Sequence, residues 1–295
     1  AKEDAYTLAL FAQDEIKLLR NLQALIGVRY IYHENFKNHA TPNVALMYKP
    51  GKFNFRASYA AGFRTPTLSE LYATDIAKKN DRLTIGNLDL KSEKNNYFSL
   101  SAEYVHERFS VSVNAFYNNI RDMIDYNTIA TGDKAMEQYG HKEVRQRDNI
   151  AEAKVHGINV SANAYLGAGF NLSGGYTHLN TQDVELEQPI DKSIKNAYNI
   201  NAQWAHSWKI YRLNINLNGR INSKRFSKSY GYAPEYQLWN LNTRHSFNLK
   251  SVIIEPGCGM ENLFDYMDDR PYNSNYATLT PGRSFYISLS LKFKS

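Results

Sequence analysis

Residues 211–222 read YRLNINLNGRIN, and their order decides what kind of structure the chain can form. Tyr211, Leu213, Ile215, Leu217 and Ile221 occupy the odd positions, while Arg212, Asn214, Asn216, Asn218, Arg220 and Asn222 occupy the even ones. Successive side chains of a strand point to opposite faces, so this segment presents one wholly apolar face and one wholly polar face. A helix would place its apolar residues three and four apart, which this segment does not.

The pattern recurs along the chain: Leu22, Ala24, Ile26, Val28, Tyr30, Tyr32; Phe53, Phe55, Ala57, Tyr59; Phe109, Val111, Val113, Ala115, Tyr117. It returns at Ile158, Val160, Ala162, at Tyr198, Ile200, Ala202, Trp204, and at Phe285, Ile287, Leu289, Leu291, Phe293. Several runs reach the ~9–11 residues that a tilted strand needs to cross a bilayer, against ~5–6 for strands of soluble proteins. Tyr30, Tyr32, Tyr48, Phe53, Tyr104, Phe109, Trp204 and Trp208 gather toward run ends, where rings suit a lipid–water boundary. No stretch of the 295 residues approaches the ~20 consecutive apolar residues of a membrane-spanning helix. The mean hydropathy of −0.55 does not oppose a barrel, because strands with one wet and one lipid face average to a polar sequence.

Connections supply a second test, since outer-membrane barrels join strands by short turns on one side and long loops on the other. Tight joins are expected near 17–21, 49–52, 106–108, 166–168, 208–210 and 249–251, and long polar ones near 33–40, 63–91, 129–145, 181–194, 226–235 and 263–281. The reading is an all-β transmembrane antiparallel barrel of about thirteen strands, with the C-terminus on the periplasmic side and the long connections on the outer surface. The final strand closes on Phe293, followed by Lys294 and Ser295, and resembles the terminal amphipathic strand that outer-membrane assembly machinery recognises.

The remaining composition is quieter. One cysteine, Cys258, offers neither a disulfide nor a zinc site. The net charge of +6 is spread along the chain without a dense basic run, so nucleic acid is not expected as a partner. No segment resembles a signal peptide, which points to a mature, processed or truncated sequence.

Three segments together resemble the TonB-dependent outer-membrane receptor family. Residues 56–72, RASYAAGFRTPTLSELY, followed by GNLDLKSEKNNY at 86–97, look like that family's FRAP-type and NPxL-type boxes, with Thr65 in place of Ala and Leu88 in place of Pro. FYNNIRDMIDY at 116–126 resembles a long strand running into an external loop. GMENLFDYMDDRPYNSNYATLTPGRSFYISLSLKF at 259–293 resembles the closing hairpin, with an NLFD-type box and a PGR entry. YTLALFAQDEIKL at 6–18 fits a strand midway round such a barrel.

The resemblance implies that residues 1–295 are the C-terminal portion of a 22-stranded barrel, with the plug domain absent from this chain and the other barrel strands supplied elsewhere. It implies a bacterial outer-membrane receptor that binds a scarce nutrient at its external loops and imports it with TonB-supplied energy, doing no chemistry on the ligand. The implied partners are the missing barrel half and plug, the TonB complex through that plug, outer-membrane lipid and, in some receptors, a surface lipoprotein. No enzyme activity, cofactor or catalytic residue is expected.

Candidate ligand contacts are Arg64, Tyr72 and Asp75; Tyr139, His141 and Arg145; Tyr230 and Tyr232; and Arg270 and Tyr272. The ordinary reading of each is a solvated loop tip or boundary ring. Haem, cobalamin and ferric siderophores all remain open as cargo. Residues 67–87 contain no histidine where haem receptors of this resemblance usually have one, which leaves His141 and His33 as substitutes. Asp122, Asp125, Asp183, Glu185 and Glu187 have the oxygen chemistry for loop calcium, but solvated loop charges are the simpler reading. The competing functions are a passive porin without a plug, a barrel enzyme and an adhesin. An enzyme would require Ser69 and His141, in separate loops, to meet a third member.

Overall fold

The computed structural model describes residues 4–227, 231–268 and 281–294. Its strands and helices are β1 (Thr7–Leu19), β2 (Leu22–His33), β3 (Lys37–Tyr48), β4 (Phe53–Arg64), α1 (Leu68–Tyr72), β5 (Thr74–Ala77), β6 (Arg82–Ile85), β7 (Glu93–Val105) and β8 (Phe109–Thr131). They continue as α2 (Gly132–Tyr139), β9 (Glu143–Gly167), β10 (Phe170–Asp183), β11 (Asn196–Trp208), β12 (Tyr211–Asn222), β13 (Arg225–Ser227), β14 (Gly231–Ala233), β15 (Tyr236–Asn248), β16 (Val252–Glu261) and β17 (Ser284–Phe293).

Thirteen of these strands form one antiparallel sheet in the order β1-β2-β3-β4-β7-β8-β9-β10-β11-β12-β15-β16-β17. Along this path each long strand pairs with the long strands before and after it in the chain, as a meander forming a barrel wall requires. The short strands β5 and β6 form a hairpin whose β6 adds in parallel to β9, while β13 and β14 pair with each other.

Register carries the two faces across the wall without a break. On one face Ala202, Leu217 and Leu241 stand in a row, as do Trp204, Ile215 and Thr243. On the other, Asn201 aligns with Asn218 and Asn240, and Gln203 with Asn216 and Asn242. The asparagines bond side chain to side chain, with Asn201 Nδ2 donating to Asn218 Oδ1 at 2.5 Å and Asn218 Nδ2 donating to Asn216 Oδ1. Arg212 and Arg220 are exposed on this polar face. Only nine apolar residues are buried among those described, and exposed large apolar side chains such as Leu100, Val111, Val113, Leu289 and Leu291 line the opposite face of the wall. Hydrocarbon outside takes the place of a packed interior.

Rings collect in two bands. Near the short turns, Phe53 meets Tyr104 at 4.9 Å, Tyr104 meets Phe109 at 5.6 Å, and Trp208 meets Tyr211 at 5.6 Å. Toward the long connections, Tyr59 meets Phe98 and Tyr176 meets Tyr198, each at 4.8 Å.

The six tight joins fall at 20–21, 49–52, 106–108, 168–169, 209–210 and 249–251, where expected. One long connection does not exist: Lys37 pairs with His33, so residues 34–36 make a three-residue hairpin instead of a loop over 33–40. The polar residues that suggest a loop there sit on strands that continue above the bilayer, where water tolerates them and the backbone ladder persists. Phe36 turns back onto His33 with ring centroids 5.2 Å apart, and Lys37 takes a left-handed φ of 62° that closes the turn. For the same reason β8 and β9 run to 23 and 25 residues, and the connection over 129–145 shrinks to 132–142.

Glycines allow close approach of large rings on the wall. A Cβ at Gly219 would lie 2.5 Å from the Trp239 ring directly opposite, and one at Gly259 would lie 2.4 Å from Tyr286. The ring covers the bare glycine backbone and replaces the missing side chain. A Gly219→Val substitution is therefore expected to displace Trp239 and destabilise the folded wall by about 1–3 kcal/mol. Urea unfolding in detergent micelles, followed by tryptophan fluorescence, checks this against Gly174→Ala, where the nearest atom lies 3.4 Å away.

Candidate functional site

The long connections build a second layer above the wall, and its foundation is a polar fastener. Arg64 ends β4 and donates to Glu93 Oε1 at 2.6 Å and Oε2 at 2.7 Å, and also to Glu70 at 2.9 and 3.2 Å. Glu70 completes a capping box on α1: its carboxylate accepts from the Thr67 backbone N–H at 2.9 Å, while Thr67 Oγ1 accepts from the Glu70 N–H at 3.2 Å. Glu93 Oε1 also accepts from the Ile124 N–H at 2.8 Å, tying β8 to the same group.

The second box closes onto the first. Gly86 N–H donates to the Ala73 carbonyl at 2.8 Å and Asn87 N–H to the Glu70 carbonyl at 3.0 Å. A Cβ at Gly86 would fall 2.4 Å from the Leu71 carbonyl oxygen, so this approach requires glycine. Asn149 spans the gap to β8, accepting from the Lys91 N–H at 2.7 Å and donating to the carbonyls of Lys91 and Asp122 at 3.0 and 2.6 Å. Leu71, Leu90 and Ile124 bury themselves beneath it with Phe36 against them.

The closing hairpin uses the same device. Asn262, 3 % exposed, donates to the carbonyls of Tyr266 and Pro281 at 2.7 and 3.1 Å and accepts from the Tyr266 N–H at 2.9 Å. Asp265 Oδ1 accepts from the Arg283 N–H at 2.6 Å. The motifs that mark the sequence thus root the loops to the wall.

Above this root lies the surface that faces outward. Asp75 pairs with Thr84, Thr84 with Arg145, and Arg145 with Thr128, so these four form one row across β5, β6, β9 and β8. Arg82 pairs with Glu143, and Tyr126 with Arg147, which places Arg82, Arg145 and Arg147 on one face of the layer. Arg145 Nε meets Glu143 Oε1 at 2.5 Å. The Arg147 guanidinium carbon stands 3.6 Å from the Tyr126 ring centroid, and its Nη2 donates to the phenol oxygen at 2.5 Å. Arg82 Nε is buried without a hydrogen-bond partner. The opposite face is dry, with Val144 fully buried and Ala135 of α2 equally so.

Of the candidate contacts, Asp75 and Arg145 are brought together, while Arg64 serves the fastener. Tyr72 ends α1 and is exposed; Tyr139 ends α2 and is half-buried. His141 Nδ1 pairs with Asp81 Oδ1 at 2.9 Å, and this ring holds the Asp81 carboxyl below its ordinary value. Tyr232 lies on β14 with its ring edge against Phe226 at 5.3 Å. Tyr230, Arg270 and Tyr272 lie outside the described residues. His33 is buried, not exposed, which removes it as a substitute haem ligand on the surface. No hydrogen bond joins Ser69 to His141, and no three metal-binding side chains gather among the described residues.

Residues 1–263 match the family model described as TonB dependent receptor-like, beta-barrel. The chain belongs to this family of TonB-dependent receptor barrels. It is accordingly part of an outer-membrane β-barrel, and since such barrels keep their short turns in the periplasm, the layer just described lies outside. The ferric enterobactin receptor of Pseudomonas aeruginosa is 23% identical over 329 residues, covering 99% of this chain and 43% of that protein. A crystal structure of a mutant of that receptor superposes with a TM-score of 0.78 at 20% identity, over 98% of this chain and 45% of the other. The siderophore receptor PirA of Acinetobacter baumannii gives 0.77 at 17% identity, over 100% and 47%. The chain therefore spans about half the length of the relatives it matches. These relatives are receptors by name, and haem and cobalamin find no support among them.

The receptor's fastener responds to acid through Glu70. Burial pushes this carboxyl up, but hydrogen bonds from Arg64 and from the backbone and hydroxyl of Thr67 outweigh it and hold the group below the ordinary 4.5. A depressed folded value means that the contribution is complete above pH 4.5 and is lost as pH falls through the lower folded value. Hydrogen exchange, corrected for intrinsic rate, should show protection of residues 67–73 fading below that pH. In Glu70→Gln the protection should be weaker than the parent's above pH 4.5 and should change less on acidification, with Glu93 left to titrate.

Proposed function

We propose that this chain is the C-terminal portion of the barrel of a receptor for ferric siderophores, and that its outer layer contributes anion-binding contacts. The observation that carries the reading is the face bearing Arg82, Arg145 and Arg147 beside Tyr126 and Thr128. Ferric complexes of catecholate siderophores are anions with planar rings. Guanidinium groups bind such oxygens by charge-assisted hydrogen bonds and stack on flat π faces.

The family supports the rest. Strands completing the barrel would pair with the outer edges of β1 and β17, a plug would sit against the asparagine-lined face, and TonB would act on that plug. The proximity of relatives named as siderophore receptors favours iron as the cargo over haem or cobalamin.

In the full receptor, the double substitution Arg145→Ala, Arg147→Ala should weaken binding of a ferric catecholate at least tenfold, read by quenching of intrinsic fluorescence on titration. Added salt should weaken the parent protein more steeply than the variant. Unchanged affinity in the variant would remove this face from the binding site.

A further inference from the structure

The lipid-facing side of the wall carries a feature that transport does not use. Along β7 the residues Lys94, Asn96, Phe98, Leu100 and Ala102 share one face, and the last three belong to the apolar exterior. Lys94 stands directly opposite Arg121 of β8, so two cations occupy adjacent positions on the outward face. Like charges so placed repel at a separation of about 5 Å between Cβ atoms. Neither has an ion-pair partner among the described residues, whereas Lys154 on the neighbouring strand is met by Glu152 at 3.8 Å. Asn96 and Asn119, paired with each other, separate the cations from the aromatic band at Phe98 and Tyr117.

Directly below runs an apolar groove of about 580 Å³ whose walls include Val44, Leu46, Tyr59, Phe98 and Tyr117. Its floor is low because Ala57 and Ala115 flank Leu100 in the same row. The groove crosses β3, β4, β7 and β8, and the cation pair stands further along the last two of these strands. Phe98 is four residues from Lys94, which is about 13 Å at ~3.3 Å per residue. A hydrocarbon chain in the groove would therefore bring its headgroup to the cations.

We propose that Lys94 and Arg121 form a phosphate clamp for a phosphorylated lipid of the outer leaflet, with one acyl chain of that lipid lying in the groove between Val44 and Tyr117. The position at the external edge of the lipid-facing surface, the uncompensated charge and the adjoining groove together select a lipid. The clamp stands whatever the receptor transports.

The test uses the full receptor extracted from its native outer membrane and examined by native mass spectrometry after detergent exchange. The parent protein should retain one phosphorylated lipid, and Lys94→Gln, Arg121→Gln should retain at least tenfold less while keeping its heat-resistant mobility on gels. A second arm needs no variant: delipidated parent protein is mixed with phosphatidylcholine vesicles containing either a monophosphoryl glycolipid or its dephosphorylated form. Selective capture of the phosphorylated form, undisturbed by excess inorganic phosphate, supports the clamp. Equal capture of both forms, displacement by inorganic phosphate, or full lipid retention by the folded double variant overturns it.

Discussion

A backbone that crosses hydrocarbon must satisfy every N–H and C=O within the protein, because the surroundings offer no partner. The antiparallel ladder from β1 to β17 meets this demand strand by strand, and the rest of the molecule is arranged around it. Once the ladder stands between lipid and water, side-chain alternation follows from the two solvents. The apolar odd positions of β12 and their polar even neighbours are one instance of a rule that holds through the register of the whole sheet. The same demand explains the scarcity of buried apolar side chains, since the exterior solvent performs the burial.

Above the bilayer the constraint relaxes and a different economy holds. Strands β8 and β9 continue well beyond the span needed to cross, into water, and carry the external hairpin of β5 and β6 at their side. A layer so far from the wall would swing freely without an anchor. Arg64, Glu70, Glu93, Asn149 and Asn262 supply it, each joining two or three segments that are distant in sequence. Partial burial strengthens these bonds relative to surface pairs, and the capping box makes α1 a rigid part of the joint. The rigid root leaves Arg82, Arg145, Arg147 and Tyr126 on the outer face of the layer.

The two cationic surfaces are thereby set apart on the molecule. Cations on the loop layer face bulk water, where an anionic solute arrives by diffusion. Lys94 and Arg121 share the outward face of the wall with Phe98 and Tyr117. Side chains of the same chemistry are thus placed in different surroundings, because alternation puts neighbouring residues on opposite sides of the sheet. Glu93, next to Lys94 in sequence, belongs to the fastener within the loop layer and never meets the lipid.

Much of the architecture was legible in the order of residues. Two-residue periodicity is local, so the thirteen long strands, their faces and all six tight turns followed from inspection, as did the family from its boxes. The helix start at Thr67 was also written locally, in the spacing of Thr67 and Glu70, although its capping role was missed. What the residue order could not reveal was which distant groups meet. Arg64 reads as a ligand contact until Glu93 is seen opposite it, 29 residues away in sequence and 2.6 Å away in space. His33 reads as an exposed loop residue until the hairpin at 34–36 buries it. The row joining Asp75 to Arg145, and the pairing of Lys94 with Arg121, depend on strand register, which is set by the pairing of whole strands and leaves no mark on the residues that it brings together.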